Sequence, residues 1–482
     1  MTIRVYQPAL SVTLTRLVNR TQTASGSYAS PFQTVDLTPY LGTAGSVTTM
    51  KDIDQPTGAF SVTFADKIHS EFGDTVYALC EPMDMIEIRM AREPQNYQAS
   101  GLPLVMRGFV TTVGRREAMS SDGTPTRTVQ IIGQDSGKLL DLYRVLFEFM
   151  VATGDQSYIE TFKLQAMIGM AAENVPVATF MTQLITDVVN PRIGRLIQFT
   201  GEYVKPFQVD TVDGSVPGMV SANLAASIDS VSVWQLMDMF ADRPWNELFV
   251  HDEEDGPHLV FRQAPYKDYT TGGYVLNGAT DPGTVNLDIS DVVEMNVQRS
   301  DTRVANFFWV PAGVMQLDSS MAINAMALVT GWPGIDLNHD ANSPIIFGQR
   351  KMQVETKLYN GSQNQVIALV PASAQQQSAS RIVSWVQARS AQLLAMNRDN
   401  SLFEEGSAVV KGSEDILPGL YLQLTRGALM SEAYIKSVTQ TFAPLSSWTT
   451  QVQLIRGTGF KVRSDYPGAP YVAEGFRGPY SR

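Results

Sequence analysis

The side chains in this 482-residue chain that could do chemistry are few. Four histidines (His69, His251, His258 and His339) and one cysteine, Cys80, are its whole stock of imidazoles and thiols. A nucleophile–base pair of the Ser–His or Cys–His kind would have to draw on one of them. His69 stands in D-K-I-H-S-E, flanked by charge, where a locally bonded imidazole outweighs a catalytic one. The run His251-Asp252-Glu253-Glu254-Asp255 offers an imidazole and four carboxylates, a donor set that could hold a metal ion. Consecutive strand residues, however, point to opposite faces and cannot all meet one ion. The neighbours fit a solvated hairpin tip between Leu248–Val250 and Leu259–Arg262, with Gly256-Pro257 in the turn. Asn338-His339-Asp340, in a Gly/Pro-rich loop, offers no fuller ligand set.

Other signatures are missing. There is no G-x-S-x-G elbow, no phosphate-binding G-x-x-x-x-G-K, no G-x-G-x-x-G, no H-E-x-x-H and no EF-hand loop. A single cysteine allows neither an intrachain disulfide nor a cysteine-based metal site, and fits folding in a reducing cytoplasm. No catalytic, cofactor-binding or metal-binding residue is assigned, no cofactor is expected, and the expectation is a protein that is not an enzyme. The residues singled out are large and aromatic: Trp234, Trp245, Phe249, Trp385 and Trp448. The tryptophans could stack on sugars or bases. Each falls on an element with an apolar face, so all five are read as packing or interface residues.

The elements that would position them are mostly strands. From Glu404 to Gly459 four segments alternate apolar and polar residues with turn residues between. Leu420, Leu422 and Leu424 oppose Tyr421, Gln423 and Thr425; Trp448, Val452 and Leu454 oppose Thr449, Gln451 and Gln453. A second copy sits upstream, at Met85–Met90, Met106–Val113 and Thr126–Gly133, and its last two strands match the later pair in order and polarity. A β unit that occurs twice in one polypeptide governs the reading of the fold. Phe60, Val62 and Phe64 form one face of another strand, and residues 3–18 read as a strand pair around Pro8. Helical spacing marks Lys138–Val151, Tyr158–Ala172, Val177–Val189, Val233–Ala241 behind a Ser232 cap, and Gln375–Asn397. Val292–Val310 and Ile345–Val354 read as further strands.

Composition narrows the class. Apolar residues make up 44% and charged residues 17% of the chain, ordinary globular material with a surface rich in neutral polar groups. Forty-eight acidic against 36 basic residues give −12, and no Lys/Arg cluster tracks a phosphate backbone, so sequence-specific nucleic-acid binding is not expected. No run approaches the roughly 18 apolar residues of a membrane span, and neither a span nor an export signal is expected.

Three stretches together resemble a known family. Trp234 followed by P-W-N-E-L-F-V (244–250) and L-V-F-R-Q-A-P (259–265) resembles the mid-chain signature of phage tail baseplate hub proteins. D-I-D-Q-P-T-G-A-F-S-V-T-F-A-D with G-F-V-T-T-V and V-Q-I-I-G-Q-D looks like their opening domain. I-L-P-G-L-Y-L, Y-I-K-S-V-T-Q-T-F and W-T-T-Q-V-Q-L-I-R-G-T-G is similar to their closing one. The likeness spans most of residues 35–460; stretches near 155–225 and 312–344, and the tail after Phe460, fall outside it.

The resemblance implies a mainly β fold with α+β insertions and two tail-tube-like β-barrel or sandwich domains per chain. These are residues 1–140 and 285–460, the latter with a helical insertion near 375–397. A mixed connecting domain, 141–284, lies between them, and a C-terminal extension, 461–482, follows. It further implies a homotrimer forming a pseudo-hexameric ring that adapts a six-fold tail tube to a three-fold central spike. The partners would be the tail tube or distal tail protein, the spike, the tape-measure protein and the baseplate wedges, with DNA only in transit. The location would be the virion's tail baseplate, after synthesis in the host cytoplasm. Acidic and neutral polar groups lining the conduit would let DNA slide. Related alternatives are a spike or hub of the secretion-system type and a tail-tip enzyme that degrades cell wall.

Overall fold

The computed structural model describes residues 7–17, 32–143, 175–191, 204–210, 216–220, 231–311, 340–358 and 372–459, apart from short breaks within turns. The first module comprises β1 (Ala9–Leu17), β2 (Phe32–Asp36), β3 (Ser46–Asp52), β4 (Ala59–Ala65), β5 (Met85–Ala91), β6 (Leu104–Met119) and β7 (Pro125–Asp135), paired in the order β3-β4-β7-β6-β5-β1-β2. Alternation dictates the strands: Phe60, Val62 and Phe64 are buried while Ser61 and Thr63 are half-buried. Val12, Leu14, Val47, Phe64, Ile86 and Ile88 are fully enclosed in one core. The helix at Val76–Leu79 and the turn at Thr38–Tyr40 are too short to cover seven strands.

The connecting region follows, with β8 (Val175–Pro176), β9 (Gln208–Asp210), β10 (Met219–Val220), β11 (Asn246–Asp252) and β12 (Pro257–Gln263). β11 and β12 form an antiparallel hairpin, and β9 adds to β12 in parallel. The helix Val233–Ala241 starts on a reciprocal cap: Ser232 Oγ accepts the Gln235 N–H at 3.1 Å, and Gln235 Oε1 accepts the Ser232 N–H at 3.0 Å. Leu236, Met237 and Phe240 then enter the core beneath the hairpin. Ser232→Ala is expected to lower stability by about 1 kcal/mol, read as a shift in the urea midpoint.

The second module holds β13 (Thr284–Asp288), β14 (Val292–Gln298), β17 (Glu404–Lys411), β18 (Tyr421–Arg426), β19 (Leu429–Ala443) and β20 (Ser447–Gly457). β15 (Phe307–Trp309) pairs with β16 (Lys351–Gln353) outside it. Its order is β14-β17-β20-β19, with β18 beside β19 and β13 beside β18. This repeats β3-β4-β7-β6-β5 of the first module strand for strand, all antiparallel and in the same chain order. Both copies carry a bulge at the same point of the long hairpin, between Val110 and Thr112 in one and Ile435 and Ser437 in the other. The pairings equate the rung Val113–Ile131–Val62–Val47 with Val438–Val452–Ala408–Met295. The protein is mainly β with α+β insertions, and its β unit is duplicated. One difference separates the copies: β1 meets β5 antiparallel, whereas β13 meets β18 parallel.

Three local expectations need correction, and a fourth is described only in part. The helix expected over Lys138–Val151 is broken after Leu142, where Tyr143 turns extended and its carbonyl accepts the Val233 N–H at 2.9 Å, and residues 144–151 lie outside the described residues. Of the strand pair expected around Pro8, the second member is β1, whose partners are β2 and β5, and residues 3–6 lie outside the described residues. Ile345–Val354 opens with a helical turn at Pro344–Phe347, capped by Ser343 and started by its proline, and only Lys351–Gln353 is extended. Val292–Val310 breaks in two where Val304 folds back on the Asp301 carbonyl. The helix expected at Tyr158–Ala172, His339 and the tail after Phe460 lie outside the described residues.

Candidate assembly interface

The two modules meet edge to edge. β19 of the second pairs antiparallel with β3 of the first, Ser437 facing Asp52 and Phe442 facing Val47, so thirteen strands run as one sheet among the described residues. Phe442 and Trp448 cross the seam into the first module's core. Trp448 lies so close over Gly412 that a Cβ there would fall 2.2 Å from the indole ring, and only glycine leaves the ring its place. A buried polar cluster stands beside this seam. Lys51 of β3 reaches Asp252 at 2.7 Å and Asp135 at 3.5 Å, and Ser136 Oγ donates to Asp252 at 2.7 Å. Burial pushes the Asp135 carboxyl up to about 6, with Lys51 opposing and Asp252 adding to the rise. Burial also works against the Lys51 charge, but the two carboxylates outweigh it and hold the ammonium above its usual range.

The β11–β12 hairpin ties both modules together. At its tip Asp252 takes Lys51, and Glu254 takes the Arg89 guanidinium of β5 at 2.6 and 2.8 Å. At its base buried Glu247 accepts the Tyr434 hydroxyl at 2.7 Å and Arg262 Nε at 3.2 Å, while Arg262 also donates to the Gly419 carbonyl at 2.6 Å. Burial raises the Glu247 carboxyl, with Arg262 and Tyr434 pulling the other way.

All five aromatic candidates are buried within the chain. Trp234 sits in the core under the hairpin, and Phe249 carries the Arg262 guanidinium over its ring at 5.5 Å. Trp245 and Trp385 sandwich Arg389 at 4.9 and 4.4 Å, and Arg389 in turn meets buried Asp242 at 3.0 Å. Trp448 is at the seam. The structure brings Trp245 and Trp385 together, and leaves the other three apart.

Sequence reasoning did not find the edges. The rung that is sealed at the seam is open at both outer ends. Val47 and Val438 are buried by pairing with each other's module, whereas their counterparts Met295 and Val113 are only partly buried. No strand pairs the free edge of β14, or that of β6 from residue 111 onward, among the described residues. These are the same two edges that β3 and β19 use internally. One difference stands out: the apolar Phe442 and Trp448 of the seam correspond to Glu117 and Arg127, 3.6 Å apart, so the open edge carries charge. Charges on an edge strand discourage indiscriminate pairing.

A second surface is open as well. The sheet face opposite the cores bears Thr48, Ser61, Thr63, Gln130, Thr439, Thr441, Gln451 and Gln453, none of them buried. Hydroxyl and amide groups predominate on it, with the exposed charges of Arg116, Glu294 and Lys411 among them.

The fold and its edges define a class, a two-module β protein whose seam strands are matched by a second, unpaired set. No family model matches the chain, and no curated protein does. Among solved structures it is similar to a 43 kDa tail protein of prophage MuSo2 from Shewanella oneidensis, at 12% identity and TM-score 0.45, over 93% of this chain and 98% of that one. It is similar to a tail protein from Neisseria meningitidis MC58, at 11% identity and TM-score 0.43, over 94% and 97%. Prophage tail protein gp18 from Listeria monocytogenes EGD-e follows at 8% identity and TM-score 0.44, over 92% and 94%.

Proposed function

We propose that this chain is a structural baseplate hub of a phage tail, a homotrimer without catalysis that adapts the six-fold tail tube to the three-fold spike and forms part of the DNA conduit. The observation that carries the reading is the seam. One chain contains two equivalent modules, joined β19 to β3, and leaves β6 and β14, their equivalents, open. Repeating the joint between chains pairs β6 of one with β14 of the next. The bulge-anchored equivalence sets the register: Val113 opposite Arg299, Arg115 opposite Val297 and Glu117 opposite Met295 of the neighbour. Three chains then supply six modules, and a head-to-tail joint that closes gives a ring. The outer face, mostly hydroxyl and amide with isolated charges of both signs at Arg116, Glu294 and Lys411, fits a conduit wall, since it offers a duplex no continuous track of phosphate-binding cations.

Light scattering on the purified chain is expected to give three times the chain mass, and projection images a ring with a central hole. A strictly monomeric particle at micromolar concentration, or turnover of purified cell wall by the chain alone, would count against the reading.

A further inference from the structure

We propose that the tip of the β11–β12 hairpin is a divalent transition-metal site, with His258 Nε2 and the carboxylates of Glu253 and Asp255 as ligands and Asp210 and His251 as positioning residues. His258 and His251 face each other across the hairpin, rings stacked with centroids 5.4 Å apart. Asp210 arrives from β9, the strand added alongside β12, and both its carboxylate oxygens lie 3.0 Å from His258 Nδ1. On the other side of the same ring, Nε2 meets Asp255 at 2.9 Å and Glu253 at 3.8 Å. The three ligand atoms lie within 4.8 Å of one another. His251 Nε2 stands 2.7 Å from the other Glu253 oxygen and holds that carboxylate in place.

The inference turns on the donor count of one ring. A neutral imidazole has a single N–H, so it satisfies one carboxylate acceptor and presents a lone pair to the other. Both nitrogens of His258 face carboxylates, and the ring is largely buried. A cation at Nε2, either a second proton or a metal ion, removes the lone-pair conflict that a neutral ring would have with Asp255. Asp210 on Nδ1–H leaves Nε2 as the lone-pair nitrogen, the carboxylate–histidine–metal arrangement that fixes the tautomer of a ligating histidine. One imidazole with two carboxylates suits Zn²⁺ first and Mn²⁺ second. Bringing the donors to ligand distances of about 2.0–2.2 Å asks only for side-chain movement at an exposed turn. The neighbouring cations are already engaged: Arg107 with Glu87 and the Glu253 carbonyl, Lys205 with the Glu254 carbonyl, Arg89 with the Glu254 carboxylate and Lys51 with Asp252.

The test is calorimetric titration of ZnCl₂, then MnCl₂, into full-length chain stripped with chelator, beside thermal melts with and without the metal. One equivalent per chain is expected, together with a rise in Tm that chelator reverses. Asp255→Asn, at an exposed turn position, should weaken binding at least about 10-fold, and so should His258→Ala. Asp210→Asn should weaken it less, while Co²⁺ bound to the wild type should show the visible bands of low-coordinate nitrogen and oxygen ligation. The proposal is overturned if the wild type binds neither metal at one equivalent. It is equally overturned if Asp255→Asn binds as tightly as wild type, or if ¹⁵N spectra show His258 protonated at both nitrogens at pH 7.5 in excess Zn²⁺.

Discussion

Lys51→Met is expected to lower stability by about 3–5 kcal/mol at pH 8, the cost of breaking a buried ion pair by removing one partner. Methionine nearly matches the lysine stem in volume, so the loss is electrostatic and not a cavity. Two carboxylates, Asp135 and Asp252, are left facing each other inside the seam with Ser136 as the remaining side-chain donor. The pH dependence identifies the cause. Asp135 has its folded-state pKa at about 6, above its unfolded value. Its contribution is thus fully present below about pH 4 and is lost as pH rises through 6. Lys51, whose pKa is raised, contributes below its unfolded value near 10.4 and loses that contribution only above it. Without Lys51 the Asp135 carboxyl holds its proton still more tightly, so the folded variant goes on losing stability with rising pH above 6, where the wild type no longer does. The deficit relative to wild type should be smaller by half or more at pH 5 than at pH 8. Urea midpoints at pH 5 and pH 8 measure it, and an equal deficit at both would show that the cluster acts through packing.

That cluster also marks where the sequence stops being readable. The strands were legible because burial is one-sided: Leu422, Leu424, Val438, Val452 and Leu454 alternate with Thr and Gln, and the pattern needs no knowledge of partners. The duplication was legible for the same reason, since equal strands in equal order leave equal polarity patterns. Long-range pairing leaves no such trace. Lys51, Asp135 and Asp252 are buried charges whose partners stand 84 to 201 positions away, and each alone reads as a surface residue. The hairpin tip shows the limit most sharply. Strand alternation argued against a metal among residues 251–255, but β11 ends at Asp252, so Glu253 and Asp255 occupy the turn where alternation no longer holds. The decisive neighbours, His258 across the hairpin and Asp210 on the added strand, come from register and topology. The break after Leu142 was illegible on the same ground: a tertiary hydrogen bond from Val233 draws Tyr143 out of the helix.

The largest effect on assembly is expected from Val297→Pro, which should raise the dissociation constant of the trimer about 100-fold while leaving the monomer folded. The choice of residue follows from which backbone groups face outward. Across the internal seam the Ile53 N–H donates to the Lys436 carbonyl at 3.2 Å, so alternate β3 residues, Thr49 among them, direct their N–H groups at β19. Val297 is the counterpart of Thr49 in the rung alignment. The Asn296 carbonyl, pressed against Gly406 of β17, shows independently that residue 296 faces inward and 297 outward. Proline at 297 therefore sacrifices no bond to β17, and an edge strand tolerates proline in that orientation. What it removes is a donor to the incoming strand, and its ring obstructs the approach, together worth about 3 kcal/mol or roughly two orders of magnitude in affinity. Val297→Thr keeps the N–H and should keep the trimer, whereas proline at 296 should disrupt β14 itself and unfold the edge. Sedimentation across a concentration series, with circular dichroism as the check on folding, separates these cases. If Val297→Pro sediments as wild type, the free edge of β14 is not where the next subunit joins, and the equivalence of the two seams fails with it.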